Sequence, residues 1–303
     1  MSKRKKIFLS IASVLVVILS VLCMYAYNVY NSLQDTVSVM HQPIERDVPA
    51  KRVEKLSLEK KDPFSVLLLG VDKRENDKGR SDTMVVLTVN PNEDSIKMIS
   101  IPRDTRVPII GKDFEDKINH AYAFGGVPMS VATVEDFLDI PIDYYIEINM
   151  EGFQEIVDAV GGVKVKNQFA FNSGGFTFQE GQIELTGKEA LAYSRMRYED
   201  PRGDLGRQQR QRQIIEAVIR KGASLQSLWK YEDIFTALGN NVKTNLTFDE
   251  MVTFQSHYSS AVKQIDHYQV DGKGQRMDNI YYYVVSDEER ARLQDIIKKH
   301  LGV

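Results

Sequence analysis

The chain has 303 residues, of which 43% are hydrophobic and 27% are charged, so its composition is globular and excludes disordered or collagen-like chains. Its single cysteine, Cys23, excludes an intramolecular disulfide and a zinc site built from several cysteines. The formal net charge is −3, but the first thirty residues carry +4 without an acid, which leaves −7 on the rest. We therefore expect no nucleic-acid partner.

The N-terminal segment has the pattern of a membrane anchor. Basic residues at positions 3–6 precede the apolar run Ile7–Tyr25, which is long enough to cross a bilayer as a helix. A cleaved signal peptide is the alternative, but its small-residue cleavage site is missing. A lipid-modified Cys23 meets the same objection, because Val21 and Leu22 stand where small residues are needed. A retained anchor is the favoured interpretation.

This anchor divides the chain into four segments. The basic residues keep the N-terminus in the cytoplasm and place the body outside the cell, as a single-pass type II membrane protein. After the anchor comes a mixed-charge stretch with two prolines, which predicts an extended or partly helical stalk. The predicted segments are a cytoplasmic segment 1–6, a transmembrane anchor 7–30, a juxtamembrane stalk 31–62 and an extracellular catalytic domain 63–303.

The body alternates short apolar runs with amphipathic stretches. Strands are predicted at Phe64–Val71, Thr83–Val89, Ser95–Ile101, Tyr144–Ile148, Val163–Val165 and Ile280–Val285. Helices are predicted at Asn119–Leu138 (with a break at Gly-Gly-Val-Pro), Met150–Val160, Leu185–Tyr193, Leu205–Lys221, Leu225–Leu238, Phe248–Val262 and after Ser286. We therefore predict an α/β fold: a single domain with a central mixed β-sheet flanked by helices, preceded by one N-terminal transmembrane helix.

Two carboxylates stand at the ends of the first two predicted strands. Asp72 directly follows the run LLLGV, and Asp82 directly precedes the strand that begins at Thr83. Since ligands of open α/β sheets bind at strand ends, the two side chains are expected to face each other across the intervening loop. Two carboxylates together with water and phosphate oxygens suit magnesium (Mg²⁺), with Mn²⁺ as a second candidate. The residues alone leave open that both aspartates are turn and capping residues.

Arginines follow in two further stretches. Arg103, Asp104 and Arg106 come directly after the third predicted strand, where the alternative is a solvated loop with an ordinary ion pair. The stretch Tyr193–Gln213 contains six arginines and no lysine: Arg195, Arg197, Arg202, Arg207, Arg210 and Arg212. Arginine exceeds lysine where a planar, bidentate contact to phosphate is needed. A salt-bridged surface helix remains the alternative, because acids stand nearby.

The spacing of these arginines predicts which of them share a face. In extended chain Arg195 and Arg197 would point to one side. On the following helix Arg207 and Gln211 are four residues apart and share a face. Arg212 lies about 140° from Arg207 around the helix and is expected to point elsewhere, so that Arg212→Lys is nearly silent.

One histidine and the absence of common catalytic motifs also bear on the function. Asn119 is predicted to cap the helix that follows it, and His120 is expected to be a structural hydrogen-bonding residue rather than a catalyst. The sequence has no Walker A, GxSxG or HExxH motif. The carboxylates and arginines together predict a site for a metal-bound pyrophosphate or phosphodiester.

Seven stretches of the sequence, in the same order, resemble the LytR-CpsA-Psr family from about Phe64 to Lys221. They are LLLGVD, GRSDTMVVLTVNP, SIPRDTRV, DKINHAYAFGG, INMEGFQEIVDAVGGV, YSRMR and DLGRQQRQ. Within the family, the chain is most similar to the enzymes that attach wall teichoic acid. The resemblance implies a phosphotransferase that moves an anionic glycopolymer from an undecaprenyl-pyrophosphate carrier to muramic acid hydroxyls of peptidoglycan, releasing undecaprenyl phosphate.

The resemblance also implies roles for particular residues. Asp72 and Asp82 would hold the metal, and a carboxylate, Asp72 or Asp104, would act as base. The catalytic residues would be Asp72, Arg103, Asp104 and Arg207. The pyrophosphate-binding residues would be Arg74, Arg80, Arg103, Arg195, Arg197, Arg207 and Gln211. Two alternatives stay open from the sequence: a hydrolase that cuts the lipid pyrophosphate with water, and a non-catalytic membrane-bound regulator.

Overall fold

The computed structural model describes residues 3–46, 48–72, 79–224 and 239–303. The helices in this part of the chain are α1 (Lys3–Met40), α2 (His120–Leu138), α3 (Met150–Ala159), α4 (Gly187–Arg195), α5 (Asp204–Ser224), α6 (Phe248–His257) and α7 (Asp287–Leu301). The strands are β1 (Phe64–Asp72), β2 (Arg80–Asn90), β3 (Ser95–Ser100), β4 (Arg106–Pro108), β5 (Glu115–Lys117), β6 (Tyr144–Ile148), β7 (Val163–Asn167), β8 (Phe171–Ser173), β9 (Phe176–Phe178), β10 (Gly181–Leu185), β11 (Val242–Thr244), β12 (Gln264–Gln269), β13 (Lys273–Met277) and β14 (Ile280–Val284). The predicted helix Leu225–Leu238 lies outside the described residues.

The centre of the body is a six-stranded sheet with the order β11-β6-β1-β2-β3-β12. β1 pairs antiparallel with β2 and parallel with β6, and β3 pairs antiparallel with β2 and parallel with β12. The sheet is therefore mixed, as predicted, and β2 and β3 form a hairpin. Four two-stranded sheets surround it.

Alternation along β1 builds a core on each face of the sheet. Leu67 and Leu69 point into one core, which also contains buried residues of α2 and α7. Phe64 and Val66 point into the opposite core, which α5 and α6 cover. Because both faces are covered, β1 is an almost continuous apolar run. The end of β1 that carries Asp72 lies beside residues of α3, α4 and α5.

Glycines and caps set the helix boundaries near the site. α2 is interrupted at Gly125 and Gly126, as predicted from the Gly-Gly-Val-Pro sequence. Gly161 and Gly162 adopt φ values of 80° and 74°, so they end α3 in left-handed conformation. The expected cap at Asn119 is wrong: this residue has helical dihedral angles, and its side chain makes no cap hydrogen bond.

α1 continues from the apolar segment into the body without a break. Its stretch Ala12–Met40 is long and apolar enough to cross a membrane. Large apolar side chains between Val14 and Leu22 have at least half of their surface exposed, whereas Leu33 and Met40 are each 1% exposed. Met40 and its neighbours pack against the core cluster that also contains α3 and α4 residues. One N-terminal helix thus has the form of a single-pass anchor, and its last turns are part of the body.

Residues 41–46 and 48–62, which lie in the predicted stalk, pack against the body. Arg46 donates to Glu135 at 2.7 Å, and Arg52 donates to both carboxylate oxygens of Asp143. Both acids are buried, with side-chain exposures of 3% each. Leu56 adds an apolar contact. Packing therefore extends to the N-terminal side of residue 63, because Arg46 and Arg52 pair with buried acids that are far away in the sequence.

A buried histidine fastens the C-terminal helix to the sheet. His300 on α7 is 1% exposed, with Nδ1 2.7 Å from Thr88 Oγ1 and Nε2 2.9 Å from Ser95 Oγ. Burial lowers the pKa of His300 to about 4, and the charge of Lys97 acts in the same direction. This histidine is therefore neutral in the folded protein at neutral pH.

This lowered pKa makes stability depend on pH. In the unfolded chain His300 titrates near 6.5, so below this pH the unfolded state binds more protons than the folded state. We expect the free energy of unfolding to fall by about 3 kcal/mol between pH 7 and pH 4 through this group. Chemical denaturation across this range should give a flatter pH dependence for His300→Gln, and parallel curves for the two proteins would contradict the assignment.

Candidate active site

The two predicted carboxylates lie on neighbouring antiparallel strands. Asp72 is the last residue of β1 and pairs with Arg80, whereas Gly70 pairs with Thr83. The register shifts between Gly70 and Val71, so β2 holds one more residue than β1 here. Asp82 lies in this bulge and within β2, not before it as the sequence suggested. A bulge changes the direction of a side chain, and it brings Asp82 to the same place as Asp72.

Asp72 and Asp82 form a shared wall between two cavities. An apolar cavity of about 300 Å³ contains both carboxylates at one end together with Arg195, Arg207 and Gln211. A polar cavity of about 310 Å³ lies on the other side. It is lined by Asp72, Arg80, Asp82, Arg103, Asp104, Lys117, Asn119 and His120.

Arg103 is held in the polar cavity by the carboxylates. Its Nη1 donates to Asp82 Oδ1 at 2.7 Å, and its Nε lies 3.8 Å from Asp104 Oδ2. Burial lowers the pKa of Arg103, but the hydrogen bond to Asp82 and the charges of Asp82 and Asp104 outweigh burial and raise it overall. Arg103 is thus a fixed cation beside the carboxylate pair.

Arg207 and Gln211 share one face of α5, as predicted, and both line the apolar cavity. Arg207 Nη2 lies 2.7 Å from Asp204 Oδ1, which fixes the guanidinium. Its Nε is buried and has no hydrogen-bond partner among the described residues. Burial lowers the pKa of Arg207, and the charges of Arg103 and Arg197 lower it further. A phosphate oxygen would supply the missing partner and relieve this repulsion.

The remaining predicted arginines occupy different positions. Arg195 is the last residue of α4 rather than part of an extended chain, and its Nη2 lies 3.8 Å from Asp72 Oδ2. Arg197 follows α4 and lines neither cavity, although its charge acts on Arg207. Arg80 lines only the polar cavity of the two. Arg74 lies outside the described residues.

The arginine cluster splits into members that line a cavity and members that pair with or pack in the body. Arg210 is buried and donates to Asp200 Oδ2 at 2.6 Å, and Arg202 also contacts Asp200. Arg212 lines neither cavity, in agreement with its predicted direction. It is nevertheless only 6% exposed, and its Nε and Nη1 have no partner among the described residues. Because this guanidinium is buried, we expect Arg212→Lys to lower the melting temperature, whereas its near-silent effect on transfer stays a prediction.

The model of the LytR_cpsA_psr family matches residues 27–299. The chain belongs to the LytR-CpsA-Psr family. The match begins inside α1 and ends in α7, so it spans both cavities and the packed end of the anchor helix. The resemblance seen in the sequence motifs is confirmed.

Members of the LytR-CpsA-Psr family are similar to this chain over most of its length. The polyisoprenyl-teichoic acid–peptidoglycan teichoic acid transferase TagU of Bacillus mycoides (strain KBAB4) is 50% identical over 299 residues, which cover 98% of each chain. The crystal structure of B. subtilis TagU is 50% identical, covers 80% of this chain and 97% of its own, and has a TM-score of 0.65. A structure of TagT bound to LIIa-WTA is 35% identical, covers 87% of this chain and 100% of its own, and has a TM-score of 0.76.

The carboxylate pair Asp72 and Asp82 fits the magnesium ion that the sequence predicts at this site. Asp82 gives one oxygen to Arg103, which leaves the other oxygen for a metal, and Asp72 lines the same wall. Among the described residues no group of three or more histidines, cysteines or acids could hold a metal by itself. Magnesium suits such a site, because it prefers few carboxylates and takes its other ligands from water and phosphate oxygens.

Sequence reasoning missed two features of this site. Lys117 binds Asp104 Oδ1 at 2.7 Å in the polar cavity, and its position two residues before Asn119 in the DKIN motif was the available signal. The apolar lining was not predicted because it consists of ordinary core residue types. It is provided mainly by residues of β1, β6, α3 and α5, including Leu68, Ile146, Ile148, Phe153, Ile156, Ile214, Ile215 and Val218.

Proposed function

We propose that the chain is a phosphotransferase that moves wall teichoic acid from an undecaprenyl-pyrophosphate carrier to muramic acid hydroxyls of peptidoglycan. A phosphodiester forms and undecaprenyl phosphate is released. The relatives named TagU carry the corresponding transferase name. The observation that supports this function best is the junction between the carboxylate–arginine cluster and the apolar cavity. A pyrophosphate joined to a long hydrocarbon chain has the same two chemical halves.

The apolar space is long enough to take a chain beyond the first cavity. A second apolar cavity of about 420 Å³ shares Leu87, Ile148 and Val218 with the first, so the two adjoin. Met40, the last residue of α1, lines the second cavity. The hydrocarbon chain would thus extend from the carboxylates toward the end of the anchor helix. Burial of this chain favours binding in proportion to the apolar area removed from water.

Each charged residue of the site has a different role in binding the pyrophosphate. Asp72 and Asp82 hold magnesium, which when bound neutralises phosphate charge and orients the oxygens. Arg207 and Arg195 donate to oxygens at the mouth of the apolar cavity, where negative charge develops on the leaving lipid phosphate. Gln211 adds a neutral donor on the same helix face. Arg103 sits beside Asp82 and keeps that carboxylate in place.

The decisive experiment is a transfer assay with the full chain in detergent. A synthetic undecaprenyl-pyrophosphate-linked teichoic acid precursor and peptidoglycan fragments are incubated with and without magnesium. We expect a polymer–peptidoglycan adduct that depends on magnesium. Free polymer without adduct would instead make the chain a lipid-pyrophosphate hydrolase. No turnover of the donor would contradict both enzymes and leave the regulator, which a DNA gel shift of the same protein would examine.

Replacement of Arg207 by lysine is expected to lower transfer about ten- to a hundredfold. Lysine keeps the charge but loses the planar fork, and one charge-assisted hydrogen bond contributes roughly 1.5–3 kcal/mol. Arg292→Lys is the matched control, because Arg292 also pairs with an acid three residues before it, Glu289 at 2.6 Å, but on α7. Steady-state kinetics at saturating magnesium measure the effect. Equal losses in both variants would refute a phosphate contact of Arg207.

The body is expected on the outer side of the membrane, with the N-terminus inside. The basic residues before the apolar helix favour this orientation. Protease added to intact protoplasts should therefore remove the body and leave a short fragment that contains α1. Full protection of the body in intact protoplasts, with digestion after lysis, would reverse the orientation.

A further inference from the structure

We propose that the polar cavity is the subsite for the peptidoglycan acceptor, and that His120 accepts the proton of the attacking hydroxyl there. This inference rests on the proposed function, since it needs a hydroxyl acceptor and a lipid pyrophosphate donor. It assigns a task to a histidine that sequence reasoning expected to be structural.

The position of the two cavities determines the side from which the acceptor hydroxyl attacks. In phosphoryl transfer the attacking and the leaving oxygens lie roughly in line on opposite sides of phosphorus. With the lipid in the apolar cavity, the leaving oxygen lies on the side of Arg195 and Arg207. Asp72 and Asp82 line both cavities, so the phosphorus atom that reacts beside these carboxylates lies between the two cavities. The nucleophile must then approach from the polar cavity.

A histidine–aspartate pair lies in this cavity. His120 Nδ1 is 2.7 Å from Asp116 Oδ2, and the His120 side chain is 23% exposed. An ionised carboxylate only accepts hydrogen bonds, so Nδ1 carries the proton and Nε2 presents a lone pair. Asp116 is itself held, because the N–H of Lys117 donates to Oδ1 at 2.7 Å and the hydroxyl of Tyr282 donates to it at 3.4 Å.

The other carboxylate predicted as a base is less free. Asp104 Oδ1 accepts from Lys117 Nζ at 2.7 Å, and Oδ2 faces Arg103 Nε at 3.8 Å. Both of its oxygens thus already face a cation, which leaves less room for an acceptor hydroxyl. Asp72 and Asp82 are committed to the metal in the proposed function. Among the described residues that line the polar cavity, His120 is the one histidine.

An exposed aromatic rim continues from His120. The ring centroids of His120 and Phe124 are 6.2 Å apart, and those of Phe124 and Phe114 are 5.6 Å apart. Phe114 is 48% exposed and Phe124 is 41% exposed, although both are large apolar residues. An apolar rim beside a polar cavity fits the apolar face and hydroxyl edge of a sugar ring. Because this rim is continuous with the polar cavity, we assign it to the acceptor glycan strand.

The chemical step balances without another reagent. The muramic acid hydroxyl oxygen bonds to the phosphorus that carries the glycopolymer, and its proton passes to His120 Nε2. The bond from this phosphorus to the bridging oxygen breaks, and undecaprenyl phosphate leaves with the electron pair. Asp116 stabilises the imidazolium that forms, as the orienting acid of a histidine does in other transferases and hydrolases.

The test is the transfer assay with His120→Asn and Asp116→Asn. Asparagine at position 120 keeps an N–H for Asp116 but has no basic nitrogen, so we expect kcat to fall about a hundredfold. Asp116→Asn removes the charge that sets the tautomer, and kcat is expected to fall at least about tenfold. The KM for the lipid donor and the melting temperature should stay at wild-type values in both. His267→Asn is the matched control, because His267 also pairs with an acid, Glu216 at 2.6 Å, and should retain full activity.

The rim is tested separately with Phe114→Ala and Phe124→Ala. Loss of an exposed ring should raise the KM for the peptidoglycan fragment about tenfold and leave the KM for the donor unchanged. If the KM for the donor rises instead, the rim contacts the donor sugars, and the assignment to the acceptor is overturned. Wild-type kcat in His120→Asn would overturn the role of the histidine. Absence of transfer in the wild-type protein would refute the proposed function itself, an outcome that is visible before any variant is made.

Discussion

Replacement of Asp72 or Asp82 by alanine is expected to reduce transfer at least about a thousandfold while the fold survives. Each carboxylate lies at the shared wall of the two cavities and is partly exposed. Arg195, which faces Asp72, is 53% exposed, and Arg103, which pairs with Asp82, is 23% exposed and keeps Asp104 at 3.8 Å, so neither loss leaves a fully buried charge without a partner. Loss of either weakens the magnesium site. A metal contributes several kcal/mol of charge stabilisation to the transition state, and each 1.4 kcal/mol changes the rate tenfold.

Asp266→Ala is the matched control for these variants. Asp266 lies on β12 of the same sheet, and its side chain is 32% exposed, compared with 34% for Asp82. Transfer rates are measured over a magnesium titration, and melting temperatures report the fold. We expect near-normal transfer in the control. Near-normal transfer in both Asp72→Ala and Asp82→Ala would make the pair structural and remove the metal site.

Replacement of Asp200 by alanine is expected to destabilise the body by about 3–5 kcal/mol. The Asp200 side chain is fully buried and receives a hydrogen bond from Arg210, whose side chain is 4% exposed. Arg210 also lies over the rings of Phe171 and Tyr193. Removal of Asp200 leaves the Arg210 charge buried without its acid, and desolvation of that charge is no longer offset.

The same aspartate fixes the start of α5. A Cβ placed on Gly206 would lie 1.8 Å from Asp200 Oδ2, so the helix contacts this carboxylate too closely for any other residue. Denaturant unfolding of the full chain in detergent measures the effect. Glu184→Ala removes an exposed pair with Lys164, in which each side chain is 62% exposed, and should leave the midpoint almost unchanged. Equal midpoints for the two variants would show that the buried pair contributes nothing.

The sequence was most informative where a site depends on neighbours in one element. β1 to β3 followed from apolar runs and a turn, and the strand ends placed Asp72 and Asp82 together. Arg207 and Gln211 followed from helical spacing alone. Such arguments use only local geometry, which the order of residues determines directly.

Prediction failed where a side chain depends on distant partners. Arg195, Arg210 and Arg212 look alike in the sequence, yet Arg195 faces a carboxylate, Arg210 is paired with a buried acid, and Arg212 is buried with no ion pair among the described residues. Burial of a guanidinium depends on how α4 and α5 pack, which the local pattern does not contain. For the same reason, the cavity lining was indistinguishable from core, and the packing of residues 41–62 was missed.

The unbroken passage of α1 into the body has a consequence for diffusion. The helix provides no hinge between its apolar stretch and the buried contacts of Leu33 and Met40, so the body tilts only as far as the helix tilts. With α1 in a bilayer, as proposed, the carboxylate wall would keep a nearly constant height and angle above the membrane surface. The proposed lipid-linked donor, held in the same bilayer by its hydrocarbon chain, would then meet the cavity by lateral motion in a plane, and a search in two dimensions would replace a search through the surrounding volume.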